Sequence, residues 1–349
     1  MKLNPFAPAP PISLPEPGAA IQLLVKRGNA VESCHTVHAM LVDAAGKSLG
    51  VWGKEDFLVY PRSSIKALQA TAFVSLGVQE DLKLSDAELS IACASHNGEK
   101  IHEDLVKNWL QKIQLSETDL ECGAHIPYSE ESYERLIRAG KKPCRIHNNC
   151  SGKHAGMLSG IQKLKLKTAG YSDYNHPYQQ RVTKILEEFY GVKLGSAPWG
   201  IDGCGIPTIA VPLKNLALGM ARFAETKKLS AEIQSSVAVI QKAIAKEPYM
   251  IGGKDSVCTE VITATKGEAL VKVGAEGVYG AAFPKLGLGL ALKAEDGNAR
   301  AVEVVLAHFV KKLKVPFLKL GNKSLESYCQ PALKNWAGEI VGELQIKAP

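Results

Sequence analysis

The chain lacks any apolar run of the roughly 18–20 residues that a membrane helix requires, so no helical membrane span is expected. Met1 to Gly18 is rich in proline and lacks the apolar core, roughly 7–15 residues long, of a secretory signal. Export is therefore not expected, and a cytoplasmic location is. The eight cysteines show no paired, regular spacing and read as reduced thiols, not as a disulfide framework. There is no internal repeat and no His-Glu-x-x-His metal motif. The lysines behind the net charge of +7 are scattered, with short clusters at Lys141-Lys142 and Lys311-Lys312-Leu313-Lys314. Without a basic stripe interleaved with aromatics, neither nucleic acid nor a membrane surface is an expected partner.

What remains is an ordinary globular balance: 349 residues, 46% hydrophobic and 22% charged, enough for one large or two ordinary cores. Strand-like segments occur at Ile21 to Val25, at His38 to Asp43 and at Ser48 to Trp52, the last two joined by a turn at Ala44-Ala45-Gly46-Lys47. Strands return from Leu270 to Phe283 and from Leu286 to Lys293. A helix follows from about Ala299 to Leu313, with Val302, Val305, Leu306 and Phe309 on one face. The stretch from Ser63 to about Lys246 is mostly helical. The expected fold is α/β: residues 1–62 and 247–349 build an antiparallel sheet covered by helices, and residues 63–246 a mainly helical lobe beside it. The site belongs in the cleft between them. The first 18 or so residues and the last dozen read as peripheral arms.

The most informative stretch is Ser63-Ser64-Ile65-Lys66. On an α-helix, residues i and i+3 share a face about 5–6 Å apart at Cβ, so Lys66 reaches the Ser63 hydroxyl while Ser64 points elsewhere. Pro61 suits the first helical turn, apolar Ile65, Leu68, Phe73 and Val74 follow, and Gly77 closes the segment. A serine at a helix start also has backbone N–H groups near it that can hold an oxyanion. A lysine acts as a base only when neutral, which takes a fall of roughly 3–4 pH units from about 10.4, supplied by burial and nearby cations. Two tripeptides extend the pattern. Ser95-His96-Asn97 follows the buried-looking run Leu89 to Ala94, and Lys272-Val273-Gly274 lies in a strand where glycine permits close approach to the backbone.

On these motifs, together with Glu32-Ser33-Cys34-His35, Cys122-Gly123-Ala124-His125, His147 to Met157, Asp202 to Pro207 and Lys272 to Val278, the chain resembles the Rhizobium etli-type L-asparaginase family. The matching segments run from about residue 20 to about residue 315, with departures at Cys34 and Ala67, where many relatives carry arginine and proline. The resemblance implies a fold like that of serine β-lactamases and serine–lysine glutaminases, and hydrolysis of L-asparagine to L-aspartate and ammonia. It implies Ser63 as nucleophile, Lys66 as its base, and Ser95 with Lys272 as a second pair that relays the proton. Arg62, Asn97 and Asp202 would contact substrate, Arg62 pairing with a carboxylate and Asp202 with an ammonium. Cys150, Lys153 and Cys204 would hold zinc, the thiolates being suited to it. A homodimer is also implied.

Rival readings follow from the same residues. They are a glutaminase or other small-amide hydrolase with the same dyad, a metallo-amidase in which zinc activates water, and a zinc-containing amino-acid-binding protein. Cys258 reads either as a thiol packed against substrate or as a core thiol, and His96 and His154 as groups supporting the site.

Overall fold

The computed structural model describes residues 13–347. Its centre is one antiparallel sheet drawn from both halves of the chain. The strands are β1 (Ile21–Arg27), β2 (Ala30–Asp43), β3 (Ser48–Trp52), β4 (Leu270–Gly274), β5 (Val278–Phe283), β6 (Leu288–Ala294), β7 (Ala332–Lys334) and β8 (Ile340–Ile346). Their order is β7-β8-β1-β2-β6-β5-β4, with β3 beside β1 along the same edge of β2. The unusual length of β2 makes this possible: its first residues pair with β1, and Ala39 to Val42 pair with β3 on one side and β6 on the other.

Residues 37–42 of β2 are buried on both faces, because a helix covers each side. The helices of the fold that matter here are α1 (Lys66–Val74), α2 (Ser151–Lys163), α3 (Pro177–Tyr190), α4 (Leu213–Ala224), α5 (Ala231–Lys246) and α6 (Ala299–Lys312). On one face α4 lies so close that a Cβ on Gly289 would stand 2.0 Å from the Ala221 nitrogen. On the other, Phe309 of α6 meets Trp52 edge to face at 4.9 Å. Aromatic pairs prefer this geometry. The expected class of fold is the one observed, an antiparallel sheet flanked by helices beside a mainly helical lobe.

In that lobe every residue of α1 is buried, and it packs among α2, α3 and α5. Glycines on α2 allow close approach: a Cβ on Gly156 would meet the Phe73 ring of α1 at 2.7 Å, and one on Gly152 the Ile91 carbonyl of the helix Asp86–Ala92 at 2.4 Å.

Two expectations change at the chain ends. Residues 340–346 are no arm, since β8 pairs with β1 from Leu23↔Ile346 to Arg27↔Gly342 and buries Leu344 and Ile346; residues 348–349 lie outside the described residues. Of the N-terminal segment, residues 1–12 lie outside the described residues. The rest is pinned to β3, Trp52 Nε1 donating to the Pro15 carbonyl at 2.8 Å, with Leu14 buried.

Candidate active site

The site forms where the edge of the sheet meets the helical lobe. Residues Arg62–Ile65 form a 3₁₀ turn after Pro61, and Lys66 is the first residue of α1. This turn lies against β4, where Gly274 leaves room: a Cβ there would meet the Pro61 carbonyl at 2.6 Å. The glycine expected to let a substrate near the backbone accommodates the chain's own turn instead. Lys272, two residues back on β4, thereby comes beside Lys66.

Both lysines converge on Ser95. Lys272 Nζ donates to Ser95 Oγ at 2.8 Å and to the Val273 carbonyl at 2.8 Å, while Lys66 Nζ donates to Ser95 Oγ at 3.1 Å. Lys66 Nζ also reaches the Ala94 carbonyl and, at 3.4 Å, the Asn149 carbonyl. The Ser95 loop is fixed by main-chain bonds, Ser95 N–H to Ile251 O at 2.9 Å and Asn97 N–H to Gly252 O at 3.0 Å. Burial, with the charge of Lys66 helping, pushes Lys272 down to about 8 against an opposing pull from Cys258.

Ser63 is half-buried, and among the described residues its hydroxyl has no hydrogen-bond partner. Ser64 is buried and its hydroxyl donates to the Pro61 carbonyl at 2.7 Å. The direct Ser63 to Lys66 hydrogen bond expected from helical spacing is not formed. Instead the Lys66 amine is taken up by the Ala94 and Asn149 carbonyls and by Ser95 Oγ, of which the buried Ala94 carbonyl requires a donor. The amides expected near the oxyanion are partly engaged too: Ser64 N–H bonds Pro61 O at 3.1 Å, and Lys66 N–H bonds Ser63 O.

Arg62 adopts a left-handed backbone, φ 52°, and pairs with Asp202, Nε and Nη2 both 2.7 Å from Oδ1. Burial works against the Asp202 charge, but the Arg62 hydrogen bond and the charge of Lys153 outweigh it and hold the carboxyl below its usual value. Asn97 lies in the same loop as Ser95, its amide donating to the Lys254 carbonyl at 2.9 Å.

A second cluster adjoins the first. Cys150 stands immediately before α2, Lys153 lies one turn into it, and Cys204 follows Asp202 in a tight turn at Gly205, φ 88°. Lys153 Nζ is 3.0 Å from Cys204 Sγ, and all three side chains are at most 4% exposed. A hydrogen bond from Cys150 and the Lys153 charge, acting against burial, drive the Cys204 thiol well below its usual value. The same bond and burial push Cys150 up to about 12. For Lys153, burial is outweighed by the two sulfurs, which raise it above the usual lysine value. The direction of these shifts favours a thiolate on Cys204 facing the Lys153 ammonium. Among the described residues, no group of three or more histidine, cysteine, aspartate or glutamate side chains converges to hold a metal. A metal here would need the lysine as its third protein donor. The donor set of two sulfurs and an amine fits zinc.

The remaining candidates sit further back. Cys258 is 2% exposed, accepts from Val273 N–H at 3.3 Å and contacts Tyr279 Oη at 3.0 Å, directly behind β4. His96 is buried with Nε2 on Ser151 Oγ at 2.9 Å, and His154 is buried against Tyr171 Oη at 2.6 Å. Burial, aided by neighbouring positive charge, holds both imidazoles neutral, His154 at about 3. The spacing of motifs missed Asn149 and Ala94, which act through their carbonyls, and Cys122, whose thiol is raised to about 12 by burial and by Cys150 and Cys204. Asn149 and Cys122 lie within segments that carry the resemblance, but nothing there assigned them a role.

A half-buried serine, Ser95, is held by two lysines beside an arginine–carboxylate pair. The chain belongs to the L-asparaginase II family, an amidohydrolase family, which it matches over residues 23–346. No curated protein matches it. It is similar to a crystal structure of Mglu in its native form, with TM-score 0.45 and 11% identity, covering 82% of this chain and 63% of that one. The chain therefore spans less than two thirds of the length of Mglu. A β-lactamase from Mycobacterium bovis gives TM-score 0.42 and 14% identity over 80% and 95% of the two chains. One from Sphaerobacter thermophilus gives 0.39 and 13% over 80% and 92%. Similarities this distant fix neither activity nor substrate.

Proposed function

We propose that the protein is an L-asparaginase that hydrolyses L-asparagine to L-aspartate and ammonia through an acyl-enzyme on Ser63. The observation that carries this reading is the convergence of Lys66 and Lys272 on Ser95, one turn from the unpartnered Ser63 hydroxyl. Lys272, with its value near 8, is partly neutral at physiological pH and accepts a proton through Ser95, which leaves Lys66 able to take one from Ser63. The bond from Ser63 to Lys66 forms in the substrate complex, as catalytic hydrogen bonds often tighten only there.

Ser63 Oγ bonds to the side-chain amide carbon, the C–N bond breaks, and the lysine proton leaves with ammonia. Water then attacks the ester, giving its proton back to the relay and releasing aspartate and the free Ser63 hydroxyl. A free amino acid brings one carboxylate and one ammonium. These exchange partners with Arg62 and Asp202, which pair with each other in the structure. Asn97 supports the loop and offers its remaining amide oxygen to the substrate.

Zinc would be held by Cys150, Lys153 and Cys204, and when bound supplies a fixed positive charge beside the Asp202 end of the site. All eight cysteines are unpaired, which supports a reducing, cytoplasmic setting. The homodimer rests on the family resemblance, and light scattering tests it. No helix among the described residues is long and apolar enough to cross a membrane.

The test is ammonia release from L-asparagine, L-glutamine and a β-lactam, with and without a zinc chelator, for wild type and Ser63→Ala. Asparagine is the expected best substrate, and S63A is expected to lose about 10³-fold or more in kcat while melting like the wild type. A folded S63A with near wild-type turnover removes Ser63 from the chemistry.

A further inference from the structure

We propose that Glu99 is a positioning residue whose carboxylate staples segment 249–254 to the Ser95 loop and so fixes Ser95 and Asn97. The proposal rests on the function proposed above and gives a role to a residue that the serine–lysine motifs leave without one.

Residues 94–99 have no regular secondary structure of their own, so their main chain is held from outside. Ser95 N–H and Asn97 N–H donate to the Ile251 and Gly252 carbonyls at 2.9 and 3.0 Å. Those two carbonyls lie inside a segment that the Glu99 side chain grips at both ends. At one end Tyr249 Oη donates to Glu99 Oε2 at 2.6 Å; at the other, Lys254 N–H donates to Glu99 Oε1 at 2.8 Å. Burial, helped by Glu99, pushes the Tyr249 phenol up to about 12, so it keeps the proton it donates.

The backbone is shaped around this carboxylate. Gly253 has φ 90°, and a Cβ there would stand 2.1 Å from Glu99 Oε1. Lys254 is held at its other polar group too, since its carbonyl accepts from Asn97 Nδ2 at 2.9 Å. Two side chains of one loop thus clasp a single residue, and the Asn97 amide is oriented by an anchor that Glu99 keeps in place. A carboxylate accepts at both oxygens, as donors at the two ends of the segment require. Alanine loses both bonds. Glutamine retains an oxygen for Lys254 N–H and can turn its amide nitrogen toward the Tyr249 oxygen.

The experiment compares full-length Glu99→Ala, Glu99→Gln and Tyr249→Phe with wild type. E99A is expected to lower kcat/KM for asparagine by about 10–100-fold, as small misplacements of catalytic groups do. E99Q is expected to return to within about fivefold of wild type. Y249F, which loses one of the two bonds, is expected to fall about threefold and to cost nothing further when added to E99A. Wild-type activity in E99A, or E99Q as impaired as E99A, overturns the proposal.

If the wild type hydrolyses none of the amides tested, the proposed function has failed, and amide hydrogen exchange decides the Glu99 role independently. The Ser95 and Asn97 amides are expected to exchange about tenfold faster in E99A and to slow again in E99Q, while those of β2 keep their wild-type rates. Unchanged exchange at Ser95 and Asn97, or a rise shared equally by β2, overturns the proposal, because a merely structural role would loosen the fold as a whole. Should E99A not fold, Y249F decides at the same two amides: faster exchange supports the staple, and wild-type exchange overturns it.

Discussion

Two buried lysines of this site are held in opposite states. Lys272 and Lys153 are 6% and 4% exposed, so burial penalises the charge of each. Lys272 faces a hydroxyl, a carbonyl and a second lysine, the pull of the Cys258 sulfur does not make up for burial, and it falls to about 8. Lys153 faces a thiolate, and the attraction outweighs burial. Burial alone therefore does not make a lysine a base; the neighbours decide. A lysine among hydroxyls and cations can exchange protons near neutral pH, whereas one locked to a thiolate is a structural cation until a metal replaces its proton.

The sharpest way to break this contrast is to remove each lysine in turn. Lys272→Met is expected to reduce kcat/KM by about 10²–10⁴-fold and to erase the rise in rate through pH 8 that deprotonation of Lys272 produces. Its effect on stability has the opposite sign. The folded value of Lys272 lies below the unfolded one, so the unfolded chain binds the proton more tightly. The penalty is complete below about pH 8 and is relieved as pH rises from about 8 toward 10.5. By this count K272M is more stable than wild type at pH 7, by up to roughly 3 kcal/mol before its lost hydrogen bonds are subtracted. Lys153→Met is expected to destabilise instead. Urea titrations of both variants at pH 7 and pH 9.5 check the two signs, and shifts in the same direction would dissolve the contrast.

A smaller effect tests the thiolate's share. Cys204→Ala leaves the Lys153 ammonium buried without its partner, a change that costs about 3–5 kcal/mol in comparable buried pairs. Adding K153M to C204A removes the stranded charge, so the double variant is expected to regain most of that loss in urea. If it does not, the loss came from packing around Cys204 and not from the ion pair.

The legibility of the molecule divides along similar lines. Local pattern was enough for the hairpin from His38 to Trp52, whose turn contains Gly46 at φ 87°, and for the helix Ala299–Lys312 with its apolar face. It was not enough for Ile340–Ile346, because that strand is held between the short β7 and β1 at the far end of the chain. In the site, spacing brought Ser63, Lys66, Ser95 and Lys272 to notice. It misjudged the hydrogen bonding of Lys66, since an i, i+3 argument ignores carbonyls from distant loops that compete for the same amine. Asn149 and Ala94 lie inside the recognised segments, but no motif assigns their carbonyls a role, because a main-chain carbonyl is the same in every residue.

The weakest link in the contrast is Asp202, and it makes the finest test. Its carboxylate is shared: Arg62 holds it directly, and it contributes least among the causes that raise Lys153. Asp202→Asn is therefore expected to leave the thiol cluster intact, with a loss of about 1–2 kcal/mol in urea from the partly buried Arg62 pair. KM for asparagine is expected to rise about tenfold as the ammonium partner disappears, with a smaller change in kcat. The pH dependence fixes the sign. The folded value of Asp202 lies below its unfolded value near 4, so the stability it provides is complete above about pH 4 and lost as pH falls through the folded value. D202N therefore flattens the acid limb of the stability profile and leaves the alkaline limb, where Lys272 and Lys153 titrate, unchanged. A shifted alkaline limb in D202N would mean that Lys153 owes its charge to Asp202 and not to the sulfurs, and the opposition between the two lysines would need another cause.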